Sequence, residues 1–197
     1  MPLTAARGSL HRSMMHGETA MASKANDGVG LWRVVGWSIA AVLLLLPLAA
    51  MQFTSEVRWT PFDFLFASLM IGSVGLLFEL TVRMNPNRFY RIGVGFALAA
   101  AFLLVWANGA VGMIGNEDNP YNLWFIALVP LVLLGSSALR FRASGMAWVM
   151  AATAVAQLLI AGFGAVADPR GALFSALCAF PWPCSALFFR RAARSDA

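Results

Sequence analysis

Few side chains in this sequence are able to ionise or coordinate, and the polar ones collect at the ends of long apolar runs. Gln52, Glu56 and Asp63 flank one such junction, and Asn108, Asn116, Glu117, Asp118 and Asn119 flank another. Asn116-Glu117-Asp118-Asn119-Pro120 is the densest polar stretch after the N-terminal tail. Carboxylates and amides supply the oxygen ligands that hard cations take. Carboxylates held together also shift one another's pKa, which suits proton handling. Together these residues form a candidate polar site on one membrane face, a cation site or the mouth of a solute path. No particular metal is implied.

The same residues suit a plainer role. Thr60 and Asn119 are N-cap types, each followed by proline, with Asp63 and Asn122 at the third helical position as in a capping box. Asp168-Pro169 opens a further segment in the same way. Glu117 and Asp118 precede the positive end of a helix, which favours negative charge. Thr60-Pro61-Phe62-Asp63 and Asn119-Pro120-Tyr121-Asn122 echo one another, and Arg83 and Arg142 repeat that spacing. Convergent capping explains the echo, with a duplicated helical hairpin as the alternative.

Three other polar features lie inside apolar runs. Asn108 sits between Ala107 and Gly109, and Gln157 stands alone in its segment. An amide in such a place needs a partner, and an interhelical hydrogen bond is the expectation for both. Glu79 and Arg83 are one helical turn apart and predict a local ion pair. Cys178 and Cys184, six apart in one segment, point to different faces and predict no disulfide.

The elements that must position these groups are long and apolar. Hydrophobic residues make up 60% of the 197 and charged ones 12%, against about 25% charged in soluble domains. A chain of this size cannot hide so much apolar surface in one aqueous core. Six segments run from about Leu31 to Phe53, Pro61 to Val82, Ile92 to Ile114, Pro120 to Leu139, Gly145 to Ala167 and Gly171 to Phe189. Each is long enough to cross a ~30 Å hydrocarbon layer as a helix, and helices satisfy their own backbone groups there. In the sixth, Pro181-Trp182-Pro183 removes two backbone donors and predicts a kink. The fold class is therefore all-α, a polytopic bundle of six transmembrane helices. Residues 1–29 read as a disordered cytoplasmic tail, 30–190 as the transmembrane domain and 191–197 as a short basic cytoplasmic tail.

Basic residues orient the chain. With the N-terminus inside, all but Arg58 and Arg170 of the 14 lysines and arginines fall on the cytoplasmic side. That asymmetry predicts an N-in, C-in topology, and it explains the net charge of +5 without nucleic acid as a partner. Small residues at four-residue spacing (Ser68 and Gly72, Gly95 and Ala99, Ala147 and Ala151) predict packing faces, and Trp32, Trp59 and Trp124 predict interfacial belts.

Several chemistries have no signature. Both histidines, His11 and His16, lie in the tail, so no span offers a haem or metal histidine. There is no C-x-x-C, no P-loop and no Gly-x-Ser-x-Gly. No cofactor is implied.

The runs Met51-Gln52-Phe53-Thr54-Ser55-Glu56-Val57, Trp59-Thr60-Pro61-Phe62-Asp63-Phe64 and Gly115-Asn116-Glu117-Asp118-Asn119-Pro120 resemble a family of small bacterial inner-membrane proteins without an assigned function. The resemblance covers about residues 31–165. It implies a bacterial cytoplasmic membrane and assigns no role to any residue.

Three functions follow as expectations. The first is a non-enzymatic accessory or structural membrane protein, surrounded by the lipid bilayer and packing with a second copy or another membrane protein. The second is a small transporter or cation-responsive channel using the carboxylate cluster. The third is a lipid-acting membrane enzyme, for which Glu56, Asp63 and Arg58 are the residues placed to converge.

Overall fold

A computed structural model describes residues 33–54 and 58–195. The tail expected over 1–29, Trp32 and Glu56 lie outside the described residues. The elements are α1 (Arg33–Phe53), α2 (Pro61–Met84), α3 (Arg88–Ala110), a 3-10 turn (Pro120–Asn122), α4 (Leu123–Ala138), α5 (Ala143–Gly164), α6 (Pro169–Cys178) and α7 (Pro181–Ser195). Among the described residues, six helical stretches are long and apolar enough to cross a membrane, with α6 and α7 together making the sixth. The chain is an all-α, multi-pass membrane protein.

Two compact units, Met1–Gly75 and Leu76–Ala197, divide the chain, with the boundary inside α2. In the first unit, α2 opens with a reciprocal capping box. The Thr60 N–H and hydroxyl both donate to Asp63 Oδ2, at 2.7 and 2.8 Å, and the Asp63 N–H faces Thr60 Oγ1 at 3.4 Å. Trp59 packs edge-on against Phe64, with centroids 5.1 Å apart. Further along, the Trp37 ring lies against Gly75, where a Cβ would stand 3.1 Å from it.

In the second unit, α7 is the centre of the packing, set against both α3 and α5. Its buried positions Trp182, Ser185, Ala186, Phe189 and Ala192 recur at helical spacing. α3 meets it with a stripe in which Gly93, Ala100 and Ala107 recur every seventh residue. The Phe189 ring lies so near Gly93 that a Cβ there would stand 3.2 Å from it. Lipid tails are as apolar as leucine, so association inside a membrane depends on close packing and hydrogen bonds. The Gly93 notch supplies both, because its carbonyl also accepts the Ser185 hydroxyl at 2.7 Å. The expected α3 face of Gly95 and Ala99 is not this stripe. Ala99 is exposed, and Gly95 approaches Phe78 instead.

The sixth span is broken, not merely kinked. α6 stops at Cys178 and α7 starts at Pro181. Pro181 cannot donate to the preceding turn and disfavours helical geometry at Phe180, whereas Pro183 sits in the first turn of α7, where its missing N–H costs little. Tight three-residue bonds bridge the gap, Phe180 N–H to the Leu177 carbonyl and Trp182 N–H to the Ala179 carbonyl, both 3.1 Å. α7 then runs on to Ser195, well past the expected end at Phe189 and through most of the expected basic tail. Asn87, the N-cap of α3, donates to Ser195 Oγ at 2.9 Å and so ties the start of α3 to the last turn of α7. Cys178 and Cys184, on opposite sides of the break, are free thiols.

Candidate functional site

The candidate residues fall in both units. Gln52 is exposed in the last turn of α1, and Asp63 is the capping carboxylate of α2. Asn108, Asn116, Glu117, Asp118 and Asn119 belong to the second unit, at the end of α3 and in the loop to α4.

That loop reverses direction through Gly112 and Gly115, whose φ angles of 76° and 75° lie in the left-handed region open to glycine at little cost. Asn122 closes it. This residue is buried, and its Oδ1 accepts the N–H groups of Met113 (3.2 Å) and Ile114 (2.9 Å). Its Nδ2 donates to the Asn116 carbonyl at 2.7 Å. The reciprocal box expected with Asn119 is therefore absent. Asn119 does cap, accepting from the Tyr121 N–H at 3.0 Å, but the 3-10 turn sends Asn122 back onto the loop. Asn119 Nδ2 also donates to the Ile114 carbonyl at 3.0 Å. From α3, Asn108 Nδ2 donates to the Asn122 carbonyl at 3.2 Å, the inter-element bond expected of a buried amide.

A second loop joins this knot. Asp168, the N-cap of α6, accepts from Arg170 (3.1 Å) and Gly171 (2.9 Å) through Oδ1. Its Oδ2 accepts the Gly115 N–H at 2.9 Å. The Tyr121 hydroxyl donates to the Ile160 carbonyl at 2.7 Å, binding α5 to the same end. One carboxylate thus holds two loops, and the N–H groups of Gly171 and Gly115 keep its pKa below the ordinary 3.8. A carboxyl depressed in the folded state stabilises the fold above its unfolded pKa, and that contribution fades as pH falls below about 4. Asp168→Asn is expected to lower stability at neutral pH and to flatten the acid limb of the stability curve below about pH 4. Thermal melts from pH 7 to 3 measure this, and parallel wild-type and variant curves would refute it.

Glu117 and Asp118 are exposed on the loop surface. Among the described residues, no group of three or more His, Cys, Asp or Glu side chains is placed to hold a metal ion. The loop is accordingly organised by amides acting on backbone, with its carboxylates pointing outward.

A second polar cluster lies deep in the unit. Gln157 is fully buried, accepts the Trp182 indole N–H at 2.8 Å and donates to the Ser175 carbonyl at 3.0 Å. It bridges α5 to both sides of the break in the sixth span. The Ser175 hydroxyl beside it is buried, with no hydrogen-bond partner among the described residues. A lone amide and a proline-flanked tryptophan were each visible in the sequence, but nothing there paired them.

The opposite end of the unit is basic. Glu79 pairs with Arg83, as the four-residue spacing predicts. Arg91 donates to the carbonyls of Asn85 (2.6 Å) and Val82 (2.8 Å), closing the turn between α2 and α3. The Tyr90 hydroxyl donates to the Phe141 carbonyl at 2.9 Å, and its ring meets Phe189 edge-on at 5.1 Å.

Comparison with protein-family models, curated proteins and solved structures gave no match.

Proposed function

We propose that this chain is a non-enzymatic accessory protein of a bacterial cytoplasmic membrane, threaded N-in and C-in. It works by packing its first helices against a second copy or another membrane protein. The observation that carries this reading is uneven burial. Only 6% of the apolar window is buried in α1 and in α2, against 39% in α5. Both helices carry small residues, Gly36 in α1 and Ser68 one turn before Gly72 in α2. Among the described residues, a Cβ added at Gly36 or Gly72 would meet nothing within 4 Å. Such faces allow close helix approach in lipid. The bacterial location rests on the family resemblance, and the threading on the distribution of arginine and lysine.

Self-association is testable by energy transfer between labelled full-length chains in proteoliposomes, with cross-linking in native membranes for other partners. Ser68→Leu/Gly72→Leu is expected to abolish the association while the variant still melts cooperatively. A wild type that is monomeric in lipid and cross-links to no membrane protein would refute the reading.

The cation-responsive alternative makes a different prediction. A ligand binding the native state raises its apparent stability. Magnesium, calcium or manganese is expected to shift the melting temperature of wild type and of Glu117→Gln/Asp118→Asn equally or not at all. A shift seen in wild type and lost in the variant would put transport or sensing ahead.

A further inference from the structure

The basic end of the second unit is built more specifically than a general excess of positive charge requires. The turn between α4 and α5 places Arg140 at φ 54° and Phe141 at φ 53°, consecutive non-glycine residues in the left-handed region. A Cβ there costs free energy that glycine would avoid, and such outliers persist where the surrounding structure over-determines them. Here the determinants are visible. Phe141 N–H donates to the Ser136 carbonyl at 2.9 Å and Arg140 N–H to the Ser137 carbonyl at 2.8 Å, while Tyr90 holds the Phe141 carbonyl. Tyr90 also contacts Phe189, the residue before Arg190. One tyrosine thus ties together two elements that carry arginines beside the contact points, Arg140 and Arg142 on either side of Phe141 and Arg190 next to Phe189.

All three arginines are exposed, and among the described residues none has an acidic partner. Glu79, the carboxylate of α2 in this unit, pairs with Arg83. Leu139 and Phe141, on either side of Arg140, and Leu187, one helical turn before Arg190, are large apolar residues 43%, 51% and 60% exposed. Guanidinium groups match phosphate oxygens in geometry and charge, and the apolar neighbours suit acyl chains. A soluble anion would have no use for them.

We propose that Arg140, Arg142 and Arg190, on the two elements that Tyr90 ties together, bind the phosphate headgroup of an anionic phospholipid, with Phe141, Leu139 and Leu187 against its chains. The proposal stands on the second unit alone and does not depend on any partner of α1 and α2. Basic residues at a membrane surface each contribute roughly fivefold in affinity for anionic lipid.

The test uses full-length protein in a nonionic detergent, titrated with phosphatidylglycerol or phosphatidylcholine in mixed micelles and followed by thermal stability. Wild type is expected to bind phosphatidylglycerol roughly tenfold or more tightly than phosphatidylcholine. Arg140→Gln/Arg142→Gln/Arg190→Gln should lose that preference. Arg170→Gln, one charge removed at the opposite end of the unit, should keep it, whereas Arg142→Gln, the matching single change, should weaken it. Equal affinity of wild type for the two lipids overturns the proposal, as does a triple variant that retains the preference or an Arg170→Gln that loses it. Inorganic phosphate reproducing the whole stabilisation would assign the site to a free anion and overturn the lipid reading. If the triple variant does not melt cooperatively, Arg142→Gln alone and the salt dependence of the wild-type preference replace it. A headgroup contact through exposed arginines must weaken at high salt, and a preference insensitive to both would overturn the proposal.

Discussion

Asn122→Ala is expected to destabilise the second unit by about 2–6 kcal/mol, through two buried N–H groups left without an acceptor at about 1–3 kcal/mol each. The donors belong to Met113 and Ile114, which are 0% and 2% exposed, so water cannot replace the lost oxygen. The third partner, the carbonyl of Asn116, belongs to an exposed residue and can turn to solvent. Asn122→Asp separates these contributions. It keeps the acceptor but sets a second carboxyl oxygen against the Asn116 carbonyl, so its loss should be smaller at acid pH, where a protonated carboxyl can donate to that carbonyl, than at neutral pH, where a buried charge faces it. Reversible denaturation in detergent measures both. Asn122→Ala within about 0.5 kcal/mol of wild type would mean the loop does not depend on this amide, since that is the usual range for a neutral surface change. Asn108→Ala combined with Asn122→Ala should cost less than the sum of the two, because Asn108 donates to the backbone that Asn122 holds in place.

The second large effect is expected at Gln157. Gln157→Leu conserves volume but leaves the Trp182 indole N–H buried without an acceptor. The Ser175 carbonyl suffers less, because it also accepts the Ala179 N–H at 3.1 Å. Interhelical hydrogen bonds in membranes average about 0.6 kcal/mol and reach about 1.7, whereas an orphaned buried donor costs about 1–3. The second quantity governs here, because the indole sits at the break in the sixth span and has no helical partner to fall back on. A loss of about 1–3 kcal/mol is therefore expected. The diagnostic is rescue. Removing both partners of a buried hydrogen bond is nearly neutral where removing one is not, so Gln157→Leu/Trp182→Phe should be more stable than Gln157→Leu, despite the smaller ring. A double variant no better than the single would show that the polar contact is not what holds α5 to α7.

Much of the architecture was legible from residue order. Apolar run length is a direct reading of bilayer thickness, so the first five spans were found to within four residues, while the sixth runs six residues past its expected end. Thr60-Pro61-Phe62-Asp63 announced its capping box because both partners lie within one helical turn. Glu79 and Arg83 were legible for the same reason. The sixth span was recognised as irregular from its two prolines, but its outcome depends on what lies alongside. Gln157 and Trp182 give the broken ends a polar anchor that proline chemistry cannot reveal.

What only the tertiary structure decided is the use of the polar residues. Local spacing put Asn122 in a capping box with Asn119, and the fold turned it onto Met113 and Ile114. Asp168 was legible as the cap of α6 but not as the acceptor of Gly115. Gly95 and Ala99 had the right spacing for a packing face, yet the buried stripe runs through Gly93, because Phe189 arrives from a helix far away in sequence. Hydrogen bonds and helix contacts between distant segments leave no period in the sequence. Composition and order determined that this chain enters a membrane and how often it crosses. Long-range geometry determined that its amides knit loops together, and that Tyr90 joins the turn at Phe141 to α7 at Phe189.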